Sequence, residues 1–245
     1  MNLAIIPARG GSKRIPRKNA KLFCGKPIIA YAIQNAIQSE IFDEVIVSTD
    51  SEEIATIAIQ YGAKVPFMRP QHLSDDHTPT LPVIAHALQM QQAQDLDMVC
   101  CLYPTTPLLP THTLTQAYTM LCNDDNVRYV FGALEYAHSP WRSFRLDSIS
   151  LPTHTHTTTQ KETFAPTLLY PQFEKTRSQD LAPLYYDAGQ FYFAKALYFM
   201  QQIPIFAPHS RALILNPLYA QDIDTLQDWQ LAELKYQLVH TTNAK

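Results

Sequence analysis

Leu3-Ala4-Ile5-Ile6-Pro7-Ala8-Arg9-Gly10-Gly11-Ser12-Lys13-Arg14-Ile15-Pro16-Arg17-Lys18-Asn19 passes from an unbroken apolar run into a loop with five cations in eleven residues. An apolar run without alternation reads as a strand buried on both faces, as in the interior of a parallel sheet. Two of the six glycines in the chain stand side by side where the character changes, so backbone N–H groups there can come close to a ligand. Downstream, Pro27 followed by Ile28, Ile29, Ala32, Ile33, Ala36 and Ile37 predicts a helix with a proline-started first turn and one apolar face. The chain thus opens with strand, basic loop and helix.

The pattern repeats outward from there. Glu44-Val45-Ile46-Val47-Ser48-Thr49 predicts a strand, and Asp50 with Glu53 predicts a capping box over a helix that carries Ile54, Ile57, Ala58 and Tyr61 and ends at Gly62. Lys64–Met68 reads as a short strand in an edge or irregular position because of its internal Pro66. A helix bearing Val83, Ile84, Ala87 and Leu88 follows, then a strand at Met98–Tyr103 in which Cys100 and Cys101 point to opposite faces. Leu114, Ala117, Tyr118 and Leu121 mark the next helix. Further strands are expected at Val127–Leu134, Gln190–Phe193 and Ala212–Leu215, before a last helix capped by Asp224 with Gln227. Strands alternating with helices imply an α/β, doubly wound, mostly parallel sheet.

Between Glu135 and Tyr186 this rhythm fails. The stretch is dense in Pro, Thr, His and aromatics such as Trp141, Phe144, Phe164, Tyr170 and Phe173. Low charge and many rings predict a segment that packs on something, a second subunit included, rather than a disordered linker. The expectation is a single domain over 1–245 with an inserted arm at 135–186.

Composition narrows the function classes. At 245 residues, 46% of them hydrophobic, the chain can bury roughly 70% of its unfolded surface and needs no staple. Nineteen basic against 22 acidic residues give a formal charge of −3, which argues against a general nucleic-acid or membrane-surface binder. No apolar run approaches the roughly 20 residues that span a bilayer. The N-terminus is apolar first and basic afterwards, the reverse of a signal peptide, so a cytoplasmic protein is expected. The four cysteines form no C-x-x-C pair and read as reduced, mostly buried thiols.

The basic loop lies at the carboxyl end of the first strand, where open α/β sheets bind ligands. Its two glycines, the Ser12 hydroxyl, and the charges of Arg9, Lys13 and Lys18 suit a polyphosphate. The spacing matches neither a G-x-x-x-x-G-K-[ST] loop nor G-x-G-x-x-G. A solvated basic turn and a nucleic-acid contact are the alternatives. Asp222 and Asp224, two apart in an extended segment, suit Mg²⁺, which takes a few carboxylate oxygens, waters and phosphate oxygens. The alternative for them is a helix cap with a solvated neighbour. His154-x-His156 has no carboxylate or thiol partner nearby in sequence and reads as a pair of solvated loop residues.

The loop from Ile6 to Asn19 resembles the signature of the acylneuraminate cytidylyltransferases, which make CMP-activated acidic nine-carbon sugars. Val47-Ser48-Thr49-Asp50, Arg69-Pro70, Leu73-Ser74-Asp75-Asp76, Pro104-Thr105-Thr106-Pro107, Arg177-Ser178-Gln179-Asp180-Leu181, Asp187-Ala188-Gly189-Gln190-Phe191-Tyr192 and Asp222-Ile223-Asp224 agree in order and spacing, so the resemblance covers roughly residues 3 to 235. Phe23-Cys24-Gly25-Lys26-Pro27, Asp75-Asp76-His77-Thr78 and Tyr185-Tyr186-Asp187 point within it to the branch that acts on pseudaminic acid. Two segments depart from the sialic acid branch: Tyr103-Pro104-Thr105-Thr106-Pro107 replaces Gln-Pro-Thr-Ser-Pro, and Asp187-Ala188-Gly189 replaces Asn-Gly-Ala. Both resemble sugar-side positions.

The resemblance implies a Rossmann-like fold of the nucleotide-diphospho-sugar transferase type and CMP transfer from CTP to the sugar, with pyrophosphate released and Mg²⁺ as cofactor. It implies nucleotide binding by Arg9, Gly10, Gly11, Ser12, Lys13, Lys18 and Asn19, with Lys18 and Arg9 catalytic and Lys18 at the α-phosphate. Arg69 and Thr80 fall where the family contacts cytidine, with a surface ion pair and a helix cap as their alternatives. Sugar binding falls to Tyr103, Thr105 and Gln190, joined by Arg177 and Gln179 from the neighbouring subunit of a homodimer with exchanged arms. Asp222 and Asp224 are the implied metal ligands. The rival readings are transfer to legionaminic acid, sialic acid or ketodeoxyoctonate, and a non-catalytic nucleotide- or RNA-binding protein.

Overall fold

The apolar opening run forms β1 (Asn2–Pro7), in which Leu3, Ala4, Ile5 and Ile6 are fully buried. The computed structural model describes residues 1–149 and 163–242. After β1 come β2 (Leu22–Phe23), β3 (Lys26–Pro27), α1 (Ile28–Gln38), β4 (Glu44–Ser48), α2 (Glu52–Gln60), α3 (Thr80–Met90), β5 (Met98–Leu102) and α4 (Thr111–Cys122). The chain continues through β6 (Tyr129–Glu135), β7 (Phe144–Ile149), β8 (Thr163–Leu168), β9 (Tyr185–Lys195), α5 (Ala196–Met200), β10 (Ser210–Ile214) and α6 (Leu226–Thr242).

Six strands make the central sheet in the order β10-β6-β9-β5-β1-β4. β1 pairs in parallel with both β4 and β5, and β10 in parallel with β6, while β9 runs antiparallel to β5. The sheet is therefore mostly parallel. One apolar layer takes Ala4, Ile6, Cys100 and Leu102, and the opposite layer takes Leu3, Ile5, Val99 and Cys101. Cys100 and Cys101 thus face opposite sides, as the period of two requires. Cys24 and Cys122 are exposed, so only two of the four thiols are buried as expected. A third cluster joins Ile15 of the basic loop and Phe23 to Trp229 of α6, which anchors the loop at its base.

Three local expectations need correction. The cap of α2 is Ser51, whose hydroxyl accepts from the Ile54 N–H at 3.4 Å, because the Asp50 carboxylate is engaged by Gly10 at 2.8 Å. At the start of α6, Thr225 and Asp228 form the reciprocal box: Asp228 N–H donates to Thr225 Oγ1 at 3.2 Å, and Thr225 N–H to Asp228 Oδ2 at 2.8 Å. Asp224 is thereby released from capping. Lys64–Met68 makes isolated bridges, Ile46 to Lys64 and Thr49 to Met68, in place of a strand. Pro66 lacks the N–H a ladder needs.

The chain divides into one unit of Met1–Leu134 with Asp187–Lys245 and a second of Glu135–Tyr186. In the second unit β7 and β8 form an antiparallel hairpin in which Phe144 faces Leu168, Leu146 faces Pro166 and Ser148 faces Phe164. Trp141 packs on Tyr170 and Phe173, with ring centroids 5.1 and 5.3 Å away, and donates its indole N–H to the Ala182 carbonyl at 3.1 Å. His154 and His156 lie outside the described residues.

Candidate active site

The site residues of the first unit gather where β1, β4 and β5 end, and topology explains why. The basic loop leaves β1, Asp50 follows β4, and Tyr103 follows β5. β9 is antiparallel to β5, so its beginning meets their ends: the Tyr103 N–H donates to the Gln190 carbonyl at 2.9 Å. Asp222 and Asp224 come from the segment between β10 and α6, and Lys18 Nζ reaches the Ile223 carbonyl at 2.7 Å.

Glycine at position 10 is a steric requirement. A Cβ there would stand 2.9 Å from the Cβ of Ser51, closer than carbon atoms approach. The Asn19 side chain is buried, donating to the Arg9 carbonyl at 3.0 Å, and its Oδ1 has no partner among the described residues. Asp76 holds two loop cations, with Arg9 Nη1 at 2.6 Å and the Lys13 ammonium on its other oxygen. Hydrogen bonds from Lys13 and Arg9 hold its carboxyl below the usual range.

Arg69 is 5% exposed. Its Nε lies 3.2 Å from Ser74 Oγ and its Nη2 3.8 Å from Asp50 Oδ1, too far for a hydrogen bond, so that nitrogen is orphaned. Burial pulls the guanidinium pKa below its ordinary value, with Asp50 opposing the shift. A buried donor without an acceptor is costly, and Arg69 belongs to the lining of a cavity of about 230 Å³ shared with Arg9, Lys18, Asn19, Thr80, Tyr103 and Thr105. The position of Thr80 excludes the simple cap: Pro79 is the N-cap of α3, and Thr80 Oγ1 hydrogen-bonds the Tyr103 hydroxyl at 2.8 Å.

A second cavity of about 390 Å³ is lined by Gly11, Ser12 and four cations, Arg9, Lys13, Arg14 and Lys18, against two carboxylates, Asp76 and Asp224. Arg9, Lys18, Asn19 and Asp76 line both cavities. A compartment lined by the buried Arg69 therefore adjoins a cationic one.

Asp224 pairs with Arg14 at 2.9 Å and lies 3.5 Å from Lys18 Nζ. Surrounding protein and then the charge of Asp224 push the Asp222 carboxyl above the usual range, although its outer face stays open to solvent. Gly189, at φ +61°, lets the chain pass with its Cβ position 3.5 Å from Asp222 Cγ. Two like charges held together fit a cation: Mg²⁺ takes carboxylate oxygens and fills its remaining positions with waters and phosphate oxygens. Among the described residues no group of three or more His, Cys, Asp or Glu side chains suits a metal.

Thr105 is buried beside Tyr103. Gln190 is 1% exposed, donates to the Ala188 carbonyl at 2.8 Å, has an orphaned Oε1 and lines neither cavity. Arg177 and Gln179 are exposed in the second unit, on the single helical turn Ser178–Asp180 and its N-cap. Asp50, Asp76 and Arg14 escaped assignment from sequence. All three stand in the segments quoted for the resemblance, and the signal for the two carboxylates was a loop rich in cations that calls for acidic partners.

A family model described as cytidylyltransferase matches residues 3–233. The chain belongs to the cytidylyltransferase family. As a cytidylyltransferase it is a CTP-dependent nucleotidyltransferase. It is 42% identical, over 98% of its length and 97% of the relative's, to the pseudaminic acid cytidylyltransferase of Campylobacter jejuni subsp. jejuni serotype O:2. A CMP-N,N'-diacetyllegionaminic acid synthase of Legionella pneumophila is 33% identical over 96% of each chain. Among solved structures, a CMP:2-keto-3-deoxy-manno-octonic acid synthetase complexed with CTP superimposes with a TM-score of 0.66 at 17% identity, covering 98% of this chain and 99% of that one. That likeness establishes the nucleotidyltransferase fold. Among the described residues no helix is long and apolar enough to cross a membrane.

Proposed function

We propose that this cytidylyltransferase transfers CMP from CTP to pseudaminic acid and releases pyrophosphate. The observation that carries the nucleotide half is the junction of the two cavities at Arg9, Lys18 and Asn19. It suits a cytosine near Arg69 and Thr80, whose donors meet a pyrimidine's carbonyl, with phosphates along Gly11, Ser12, Lys13 and Arg14. The acceptor half rests on similarity to the Campylobacter jejuni enzyme.

In the reaction the anomeric hydroxyl attacks the α-phosphorus, the bond to the pyrophosphate oxygen breaks, and the hydroxyl proton is lost. Charge neutralisation and alignment dominate such a transfer. Lys18, held by the Ile223 carbonyl and close to Asp224, presents a fixed ammonium to the α-phosphate. Arg9 bridges toward the outer phosphates, its charge poised by Asp76. Asp222 and Asp224 would hold Mg²⁺, which supplies neutralisation of the polyphosphate.

The protein acts as a homodimer through Glu135–Tyr186, in the cytoplasm and without nucleic acid. Phe144, Leu146 and Phe164 lie on one face of the β7–β8 hairpin and are 55, 58 and 45% exposed, while Arg145, Asp147 and Thr167 bond one another on the other face. A lone two-stranded hairpin is marginal in water, and an exposed apolar face marks an interface. In the exchanged arrangement Arg177 and Gln179 meet the partner's acceptor, the guanidinium on its carboxylate.

Pyrophosphate release measured with CTP and pseudaminic, legionaminic, sialic and ketodeoxyoctonic acids in turn tests the acceptor. The highest kcat/KM belongs to pseudaminic acid. A higher value with any of the other three overturns the assignment.

A further inference from the structure

Tyr103 and Asp187 are 84 residues apart in sequence, yet a single side chain joins them. Tyr192, 5% exposed on β9, donates its phenol to Asp187 Oδ2 and sets its ring edge-to-face against Tyr103, with centroids 5.8 Å apart at 74°. The other Asp187 oxygen accepts the Gly189 N–H at 3.1 Å, in the turn that flanks Asp222. Tyr103 carries the contact to the cavity, where its hydroxyl meets Thr80. Tyr192 itself lines neither cavity, so it acts through Tyr103.

Both residues use Tyr192. A carboxylate at 187 gives the Tyr192 phenol a charge-assisted acceptor, which an amide does not. An aromatic ring at 103 gives the Tyr192 ring a partner for edge-to-face packing, which a Gln side chain does not. The ring of Tyr192 is further fixed by Phe206, 6.5 Å away at 79°. Its orientation, and with it that of Tyr103, is determined from three sides.

We propose that Tyr192 is a positioning residue that couples Asp187 to Tyr103, so that the two residues form one specificity element for the acceptor sugar. The inference rests on the reading of Tyr103 as an acceptor-side residue. Tyr192→Phe keeps the ring and removes the bond to Asp187, and raises the acceptor KM about fivefold or more, since the lost hydrogen bond is to a charged group. The CTP KM rises less than the acceptor KM, because Tyr192 touches neither Arg69 nor the basic loop and reaches the cytosine side only through the Tyr103–Thr80 hydrogen bond. Asp187→Asn, nearly isosteric, repeats that split. In a cycle of Asp187→Asn with Tyr103→Gln, the combined loss in acceptor kcat/KM falls short of the product of the single losses by about threefold or more.

Parallel changes in the CTP and acceptor KM, an unchanged acceptor KM in both Tyr192→Phe and Asp187→Asn, or single losses that multiply in the cycle overturn the coupling. Wild-type activity is first measured across the four acceptors. If pseudaminic acid is not the preferred one, the acceptor assignment fails alone, and the same cycle is run with the preferred sugar.

Discussion

Lys18→Ala probes the residue on which both cavities converge. Lys18 Nζ is 2.7 Å from the Ile223 carbonyl and 3.5 Å from Asp224 Oδ1, and its side chain is 21% exposed. It is held before substrate arrives, so its charge is aligned without reorganisation. A full pair of charges at about 4 Å and an effective dielectric of about 20 interacts by roughly 4 kcal/mol. Only the charge that moves between ground and transition state accelerates the reaction. If between a third and two-thirds of that interaction develops with the transition state, the loss is about 1.4–2.7 kcal/mol, or roughly ten- to a hundredfold in kcat. Pyrophosphate release at saturating substrates gives kcat, and calorimetric titration with CTP gives the affinity. The expected result is a kcat reduced by at least about tenfold with a smaller loss of CTP affinity. A normal kcat with the loss confined to CTP affinity would refute the reasoning.

Gly10→Ala places a Cβ 2.9 Å from Ser51 Cβ and displaces the N–H that meets Asp50; the CTP KM rises about tenfold or more, with overpacking of this kind costing about 1–3 kcal/mol, and an unchanged CTP KM contradicts the close approach. Arg69→Met removes the buried guanidinium from the lining of the first cavity, so the CTP KM rises about tenfold while the acceptor KM holds; equal rises in both contradict the cytosine assignment. The Tyr103 phenol, pushed up to about 12 by burial, stays protonated at ordinary assay pH, and Tyr103→Phe therefore leaves any alkaline limb of the pH–rate profile below pH ~10 in place; a limb that disappears in the variant contradicts this. Asp76→Asn lowers the thermal stability of the free protein above the usual carboxylate range, where the wild-type carboxylate is ionised and paired. Because its folded pKa is depressed, that advantage vanishes as pH falls through the depressed value, and a Tm difference that instead grows in acid contradicts the pairing.

The mostly parallel sheet was legible because its strands are apolar runs that no other element accommodates: Leu3 to Ile6 has no polar side and had to be covered on both faces. Adjacent Cys100 and Cys101 could be assigned to opposite layers from the period of two alone. The capping residues were not legible, since Asp50 beside Ser51 and Asp224 beside Thr225 offer two competent caps each. The choice was made by partners distant in sequence, Gly10 for Asp50 and Arg14 for Asp224, which claim the carboxylates and leave the hydroxyls to the helices. The same long-range pairing hid Asp76, whose role depends on Arg9 and Lys13 some sixty residues earlier. Cys24, expected among mostly buried thiols, takes φ +42° in the turn between β2 and β3 and is exposed. Turn geometry of that sort leaves no periodic trace.

The most direct measurement follows the phosphorus. CTP labelled at the α-position is incubated with pseudaminic acid, Mg²⁺ and the purified protein, and the products are separated and counted, with a parallel reaction labelled at the γ-position. The account predicts α-label in a sugar nucleotide that forms only when the acceptor is present, and γ-label in pyrophosphate in equal amount. Label released as free CMP at the same rate without acceptor, or γ-label in inorganic phosphate with the α-label left in CDP, would contradict it.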